Sequence, residues 1–225
     1  DLVAYEFFKN LALSALGIFI PIIIYDASGS LVAPGIYLLA KSSVSALSAF
    51  PVMNFLAGKG FHKGLYLSYV FLVPAVVLLR FVDYSTALMI SVAVLYSLGT
   101  TLHREAKKLE FTKDTGSEDR EKRSADLTSI PNMGRFLGPL IAGSLSAAFG
   151  LNALLTFAVA MIGLSLLPLS KLEGSRRKTK VSIRDTFPRE YWNYIPVMIA
   201  RGVQALAAVA LYGLFTYVVV GGSFG

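Results

Sequence analysis

The sequence predicts an all-α membrane protein, on three observations. Seven apolar runs are each long enough to cross a bilayer, since a hydrocarbon core about 30 Å thick needs about 20 residues of helix at ~1.5 Å each. Sixteen of the 21 Lys and Arg residues fall in three loops, which alternate with three others that together hold only Arg80. Composition agrees, with 55% hydrophobic residues, 16% charged residues and a mean hydropathy of +0.62.

The first run, Leu2 to Tyr25, carries Glu6, Asn10 and Ser14 at intervals of four, which puts them on one helix face, with Pro21 further along. The second, Leu31 to Leu56, holds Lys41 near mid-membrane, followed on the same stripe by Ser45 and Ser48. A charge at that depth costs on the order of 3 kcal/mol. Lys41 is therefore either part of a water-filled pathway wall or a cation paired inside the bundle. The third and fourth runs, Leu65 to Val82 and Ser85 to Leu102, follow, the latter with Tyr96 and Thr100. In the fifth, Leu127 to Phe149, Gly134, Gly138 and Ala142 recur every four residues, followed by Gly143. Such a face lets two helix backbones approach closely. Pro139 removes one backbone hydrogen bond and kinks the same helix. Arg135 lies nearer the basic loops, where a structural role in bonding loop carbonyls competes with a functional one. The sixth run is Leu151 to Leu169 after a short turn at Gly150, and the seventh is Tyr194 to Val220, with Arg201, Gln204 and Tyr212.

Because Lys and Arg are retained on the cytoplasmic side, the loops after runs two, four and six are expected there, together with the amino terminus. The first carries Lys59 and Lys63. The second, His103 to Asp126, holds seven basic and seven acidic residues and reads as one or two amphipathic helices at the membrane surface. The third, Lys171 to Asn193, reads as a flexible linker. In a soluble protein a net charge of +7 and a pI near 9.6 would point to nucleic acid. Here the excess sits beside membrane ends, where it sets topology and meets anionic lipid, so no nucleic-acid partner is expected. There is no Cys, which removes disulfides and thiolate chemistry. His62 and His103 lack metal-ligand spacing, so neither a metal, a cofactor nor an enzymatic constellation is expected. The first run is expected to act as its own insertion signal. The start at Asp1 and the stop at Gly225, just past an apolar run, lead us to expect a fragment.

Two stretches carry a family resemblance. Asp119-Arg120-Glu121-Lys122-Arg123 followed by Gly134-Arg135-Phe136-Leu137-Gly138-Pro139-Leu140-Ile141-Ala142-Gly143 resembles the fourth-loop and fifth-span signature of the major facilitator superfamily. The fifth-span motif resembles that of drug and proton antiporters. In the loop after span two the family usually carries an Asp before its basic residues. Here the stretch reads Gly58-Lys59-Gly60-Phe61-His62-Lys63, with basic residues and no Asp. Span four also lacks the buried Arg common in proton-coupled drug exporters.

The resemblance implies a six-helix bundle over residues 1–170, a linker over 171–193, and the first helix of a second bundle over 194–225. The rest of that second half would be missing from this chain. It also implies transport of a small solute by alternating access, leaning to export, in the plasma membrane, either coupled to H+ or another ion through a carboxylate in the missing half or by facilitated diffusion. The pathway residues it points to are Asn10, Ser14, Tyr96, Thr100, Gln204 and Tyr212. Lys41, Ser45 and Arg201 join them on the charge argument. Lys59, Lys63, Gly134, Arg135, Gly138, Pro139 and Gly143 are the expected gating and packing positions. Lys9 is expected to snorkel to the headgroups from a helix end, or to mirror Arg201 at equal depth in the second half. The rival expectation is a scaffold or receptor that keeps the transporter fold without transport.

Overall fold

The structure, a computed structural model, describes residues 2–111, 117–171, 197 and 212–219. These residues form helices and no strand. The helices are α1 (Leu2–Ser28), α2 (Val32–Lys59), α3 (Phe61–Leu78, continued by a 3-10 segment Leu79–Tyr84), α4 (Thr86–Phe111), α5 (Ser117–Phe149), α6 (Leu151–Ser170) and a short α7 (Tyr212–Val219). Five of them, α1 to α4 and α6, are long and apolar enough to cross a membrane, which indicates a membrane-embedded protein. α5 is the longest at 33 residues, but Asn132, Arg135 and its glycines, prolines and serines dilute its apolar stretch. Of the seventh apolar run only Val197 and α7 are described; the linker after Lys171 lies outside the described residues.

The turns are as short as glycine permits. Gly60 alone separates α2 from α3 at φ +88°, and Gly150 alone separates α5 from α6 at φ +77°. Side chains are strained in that region and glycine is not. Each glycine also closes the helix before it, Gly60 N–H donating to the Leu56 carbonyl at 2.7 Å and Gly150 N–H to that of Ser146 at 2.9 Å. Internal prolines at 21, 51, 74, 131, 139 and 168 are accommodated without ending the helices, as neighbouring helices in a membrane bundle allow.

One sequence expectation is corrected. The segment from His103 is not a separate surface helix: α4 continues through it to Phe111, and α5 already begins at Ser117. Its Glu, Lys and Arg content explains why, because these residues favour helix and pair along it. Lys108 donates to Glu105 at 2.8 Å, one turn apart, and Arg104 Nε to the same carboxylate at 2.9 Å.

α1 is the central helix. It packs most extensively on α5, then on α6, and touches α2 and α7, while α4 packs on α3 and α2. Leu16 and Ile20 of α1, Leu72 of α3, Val92 of α4, and Leu154 and Ile162 of α6 form part of one buried apolar cluster. α2 leaves much of its length exposed, including Leu39 and Leu47. Exposed apolar side chains are ordinary against lipid.

The α1–α5 contact is backbone on backbone. A Cβ at Gly134 would lie 2.8 Å from the Phe7 carbonyl oxygen, and one at Gly138 would collide with the Ser14 hydroxyl and approach the Leu11 carbonyl to 2.7 Å. Gly143 differs, with nothing within 4 Å of its would-be Cβ. Gly138→Ala is therefore expected to push the helices apart and cost about 2 kcal/mol of stability, and Gly143→Ala to change it by less than about 0.5 kcal/mol. Thermal unfolding of the two variants in detergent checks this.

Candidate functional site

A cavity of about 540 Å³ opens between α1, α2, α4 and α5, its lining mixing apolar surface with a set of polar and charged side chains. From α1 it takes Glu6, Asn10 and Ser14, one face at four-residue spacing. α2 contributes Lys41, and α5 contributes Arg135 and Pro139. From α4 come Tyr96, Thr100, His103, Arg104 and Lys107. Seven of the sequence-predicted residues thus share one space: Asn10, Ser14, Lys41, Tyr96, Thr100, Arg135 and Pro139.

The other predicted residues stand elsewhere. Ser45 is outside the lining, where its hydroxyl sits 3.1 Å from that of Thr101 and accepts from Arg104 at 3.2 Å, tying α2 to α4. The Ser48 hydroxyl is buried without a hydrogen-bond partner among the described residues. Lys59 and Lys63 flank the Gly60 turn, exposed and outside any ion pair among the described residues. Beside them His62 Nε2 meets the Leu169 carbonyl at 3.2 Å, fastening that turn to the end of α6. Gly134 and Gly138 form the α1–α5 contact, which Gly143 does not join. Arg201, Gln204 and the side chain of Tyr212 lie outside the described residues.

A chain of polar contacts crosses one end of the cavity. Lys107 Nζ donates to Glu6 Oε2 at 2.8 Å, and Asn10 Nδ2 reaches the same oxygen at 3.1 Å and the Glu6 carbonyl at 2.7 Å. The Asn10 carbonyl oxygen in turn accepts from Arg135 Nε at 3.0 Å. α4, α1 and α5 are joined in that order through Glu6 and Asn10, both buried. Ser14 adds a bond from its hydroxyl to the Gly134 carbonyl at 3.3 Å, possible only because the glycine lets α5 come so close.

His103 links this chain to a second layer behind α1. Its Nε2 lies 3.5 Å from Glu6 Oε1, and its Nδ1 is 3.0 Å from the Tyr5 hydroxyl. Lys9 Nζ donates to that hydroxyl at 2.9 Å and to Ser68 Oγ at 2.6 Å, and sits 4.4 Å from the centre of the Tyr69 ring. An ammonium only donates, so the Tyr5 hydrogen is free for His103 Nδ1, and the imidazole hydrogen then belongs on Nε2, toward Glu6. The Tyr69 hydroxyl pairs with Ser165 Oγ at 2.5 Å, carrying the layer to α6.

This overturns the snorkelling expectation for Lys9. The residue is 0% exposed, because its ammonium points to Ser68 and the Tyr69 ring of α3 rather than to lipid. His103 was likewise assigned to a loop, and it is buried in α4. The signal for it was present in the sequence: Tyr96, Thr100, His103 and Lys107 recur at steps of four, three and four, the spacing of one helix face. Ending the span at Leu102 on hydropathy cut that stripe in two.

The lining is electropositive. Lys41, Arg104, Lys107 and Arg135 face it against the single carboxylate Glu6. Lys41 Nζ lies 5.1 Å from the centre of the Tyr96 ring, a cation–π contact, and has no acidic partner among the described residues. The described residues hold no cluster of His, Asp and Glu able to bind a metal. The chain matches no protein-family model and no curated protein sequence.

Removing Glu6 would take away a buried carboxylate that accepts from both Lys107 and Asn10 and faces His103. Glu6→Ala is expected to cost about 3 kcal/mol of stability. Glu6→Gln, which keeps an acceptor for Asn10 and Lys107, should lose less. The order of the two melting temperatures decides the matter.

Proposed function

We propose that the chain is the first half of a secondary transporter of the major facilitator type, with the first helix of its second half, and that it moves a small solute by alternating access. The observation that carries this reading is the cavity. Five ionisable side chains and a histidine line one cavity of a bundle of membrane-length apolar helices, Glu6 and His103 buried and Arg104 and Arg135 exposed. Charges at such positions are costly in hydrocarbon and are tolerated where they meet water, a partner or a passing solute. The family signature on α5 supports the same reading, since Gly134 and Gly138 give α1 and α5 a smooth contact on which one helix can slide or rock against the other.

In this reading the solute sits between the described bundle and a second one, and rocking of the two exposes it to each side in turn. Asn10, Ser14, Lys41, Tyr96 and Thr100 contact it, joined from the second half by Arg201, Gln204 and Tyr212. Ser45 and Arg104 brace α2 on α4. Glu6, beside His103, is the acid at which H+ or another coupling ion would act. In this reading the chain lies in the plasma membrane with its amino terminus in the cytoplasm, an orientation that its basic loops support, and the resemblance of the α5 motif supports export.

These 225 residues hold no Cys, so once any Cys in the rest of the full-length protein is replaced a direct test is available. A thiol introduced by Thr100→Cys in the full-length protein, in sealed vesicles, should react with a membrane-impermeant thiol reagent added on either side. One introduced by Val70→Cys, on an exposed apolar position of α3, should stay unreactive. A carrier exposes its cavity alternately, so labelling from both sides is expected. Labelling from one side only, with no flux of any solute in the same vesicles, would favour the scaffold reading.

A further inference from the structure

We propose that the cavity is a binding site for an anion, a carboxylate or phosphate group seated between Lys41 of α2 and Arg135 of α5. The inference deepens the carrier reading, on which it rests for its purpose.

The charge count is the first ground. Four cationic side chains and one carboxylate line the space, a formal surplus of three. The second is how little of that surplus the protein itself answers. Glu6 is already engaged by Lys107 and Asn10. Glu105, which pairs with Arg104, lies outside the lining and is shared with Lys108. Nothing acidic among the described residues is left for Lys41 or Arg135.

The third ground is the set of donors still available. Arg135 spends only Nε, on Asn10, and its two terminal nitrogens make no hydrogen bond among the described residues. A guanidinium edge of that kind matches the two oxygens of a carboxylate or phosphate. Lys41 spends no hydrogen on an acceptor among the described residues and is steadied by the Tyr96 ring instead. A cation held by an aromatic face keeps its donors for a ligand. The basic loops explain positive charge at helix ends, but Lys41 is 18 residues from the Lys59 end of α2. Topology does not account for it.

Two sources could supply the group: a soluble organic anion or the phosphate of a lipid headgroup. The test needs no knowledge of which. With Thr100→Cys as the sole thiol in the full-length protein, an anionic alkylthiosulfonate should react faster than its cationic analogue by about tenfold, after correction for their rates with a free thiol. Lys41→Gln and Arg135→Gln should each erase most of that preference, and Lys41→Arg should retain it. Should a glutamine variant fail to fold, titrating the Thr100→Cys protein with succinate or inorganic phosphate, against choline or glucose, gives the second readout: only the anions should slow labelling. Protection by anionic phosphatidylglycerol vesicles, absent in phosphatidylcholine, supports the site with a lipid headgroup as the source. A preference for the cationic reagent, or none, overturns the proposal. Vesicles that carry solute flux while showing no anionic preference would sink the anion site and leave the carrier reading standing. An anionic preference without flux would do the reverse.

Discussion

Glu6 is the group on which the polar interior depends. Inside an apolar bundle an isolated charge or an unpaired donor costs several kcal/mol, because no solvent is at hand to satisfy it. This one carboxylate, 1% exposed, answers Lys107 and Asn10 directly, Arg135 through Asn10, and faces His103. Three helices are fixed relative to one another by it. A pair of this kind adds little net stability compared with apolar packing, but it is demanding of geometry. Of the cations in the cavity, Lys107 and Arg135 owe their positions to Glu6.

That arrangement in turn depends on the closeness of α1 and α5. Arg135 reaches Asn10 at 3.0 Å only because Gly134 and Gly138 bracket it and bring the α5 backbone against Phe7 and Leu11. Packing and electrostatics are coupled here: a methyl group at position 138 would separate the very helices whose side chains bond across the gap. Ala142 continues the buried stripe, and Gly143, one position on, has open space where a side chain would stand.

Much of this was legible in the sequence. The apolar runs marked six of the helices, with boundaries within a few residues where the chain turns at Gly60 or Gly150, since a turn glycine ends a helix sharply. Boundaries failed where hydropathy changes without a change in structure. The helix of α4 runs nine residues past Leu102 because charged residues end a membrane span without ending a helix. That error hid His103 and Lys107, and with them the partner of Glu6. Asn10, Ser14, Lys41, Tyr96, Thr100 and Arg135 were found as separate stripes on four helices, and helix periodicity says which residues share a face. It does not say which faces meet, so their convergence on one cavity came only from the packing.

Lys9 and Lys41 show why depth alone misjudges a buried charge. Sequence position made Lys9 a headgroup-seeking residue near a helix end and Lys41 the mid-membrane anomaly. In the bundle Lys9 is the more deeply buried of the two, with hydrogen bonds to Tyr5 and Ser68 and the Tyr69 ring beside it. Its donors are committed, and it stands outside the cavity lining, so it serves to hold α1 against α3. Lys41 has one aromatic neighbour and an open space in front of it. What separates a structural cation from one free to receive a ligand is therefore the number of partners already bound. By that measure Lys41 and the terminal nitrogens of Arg135 are, among the described residues, the uncommitted positive charge of the cavity lining.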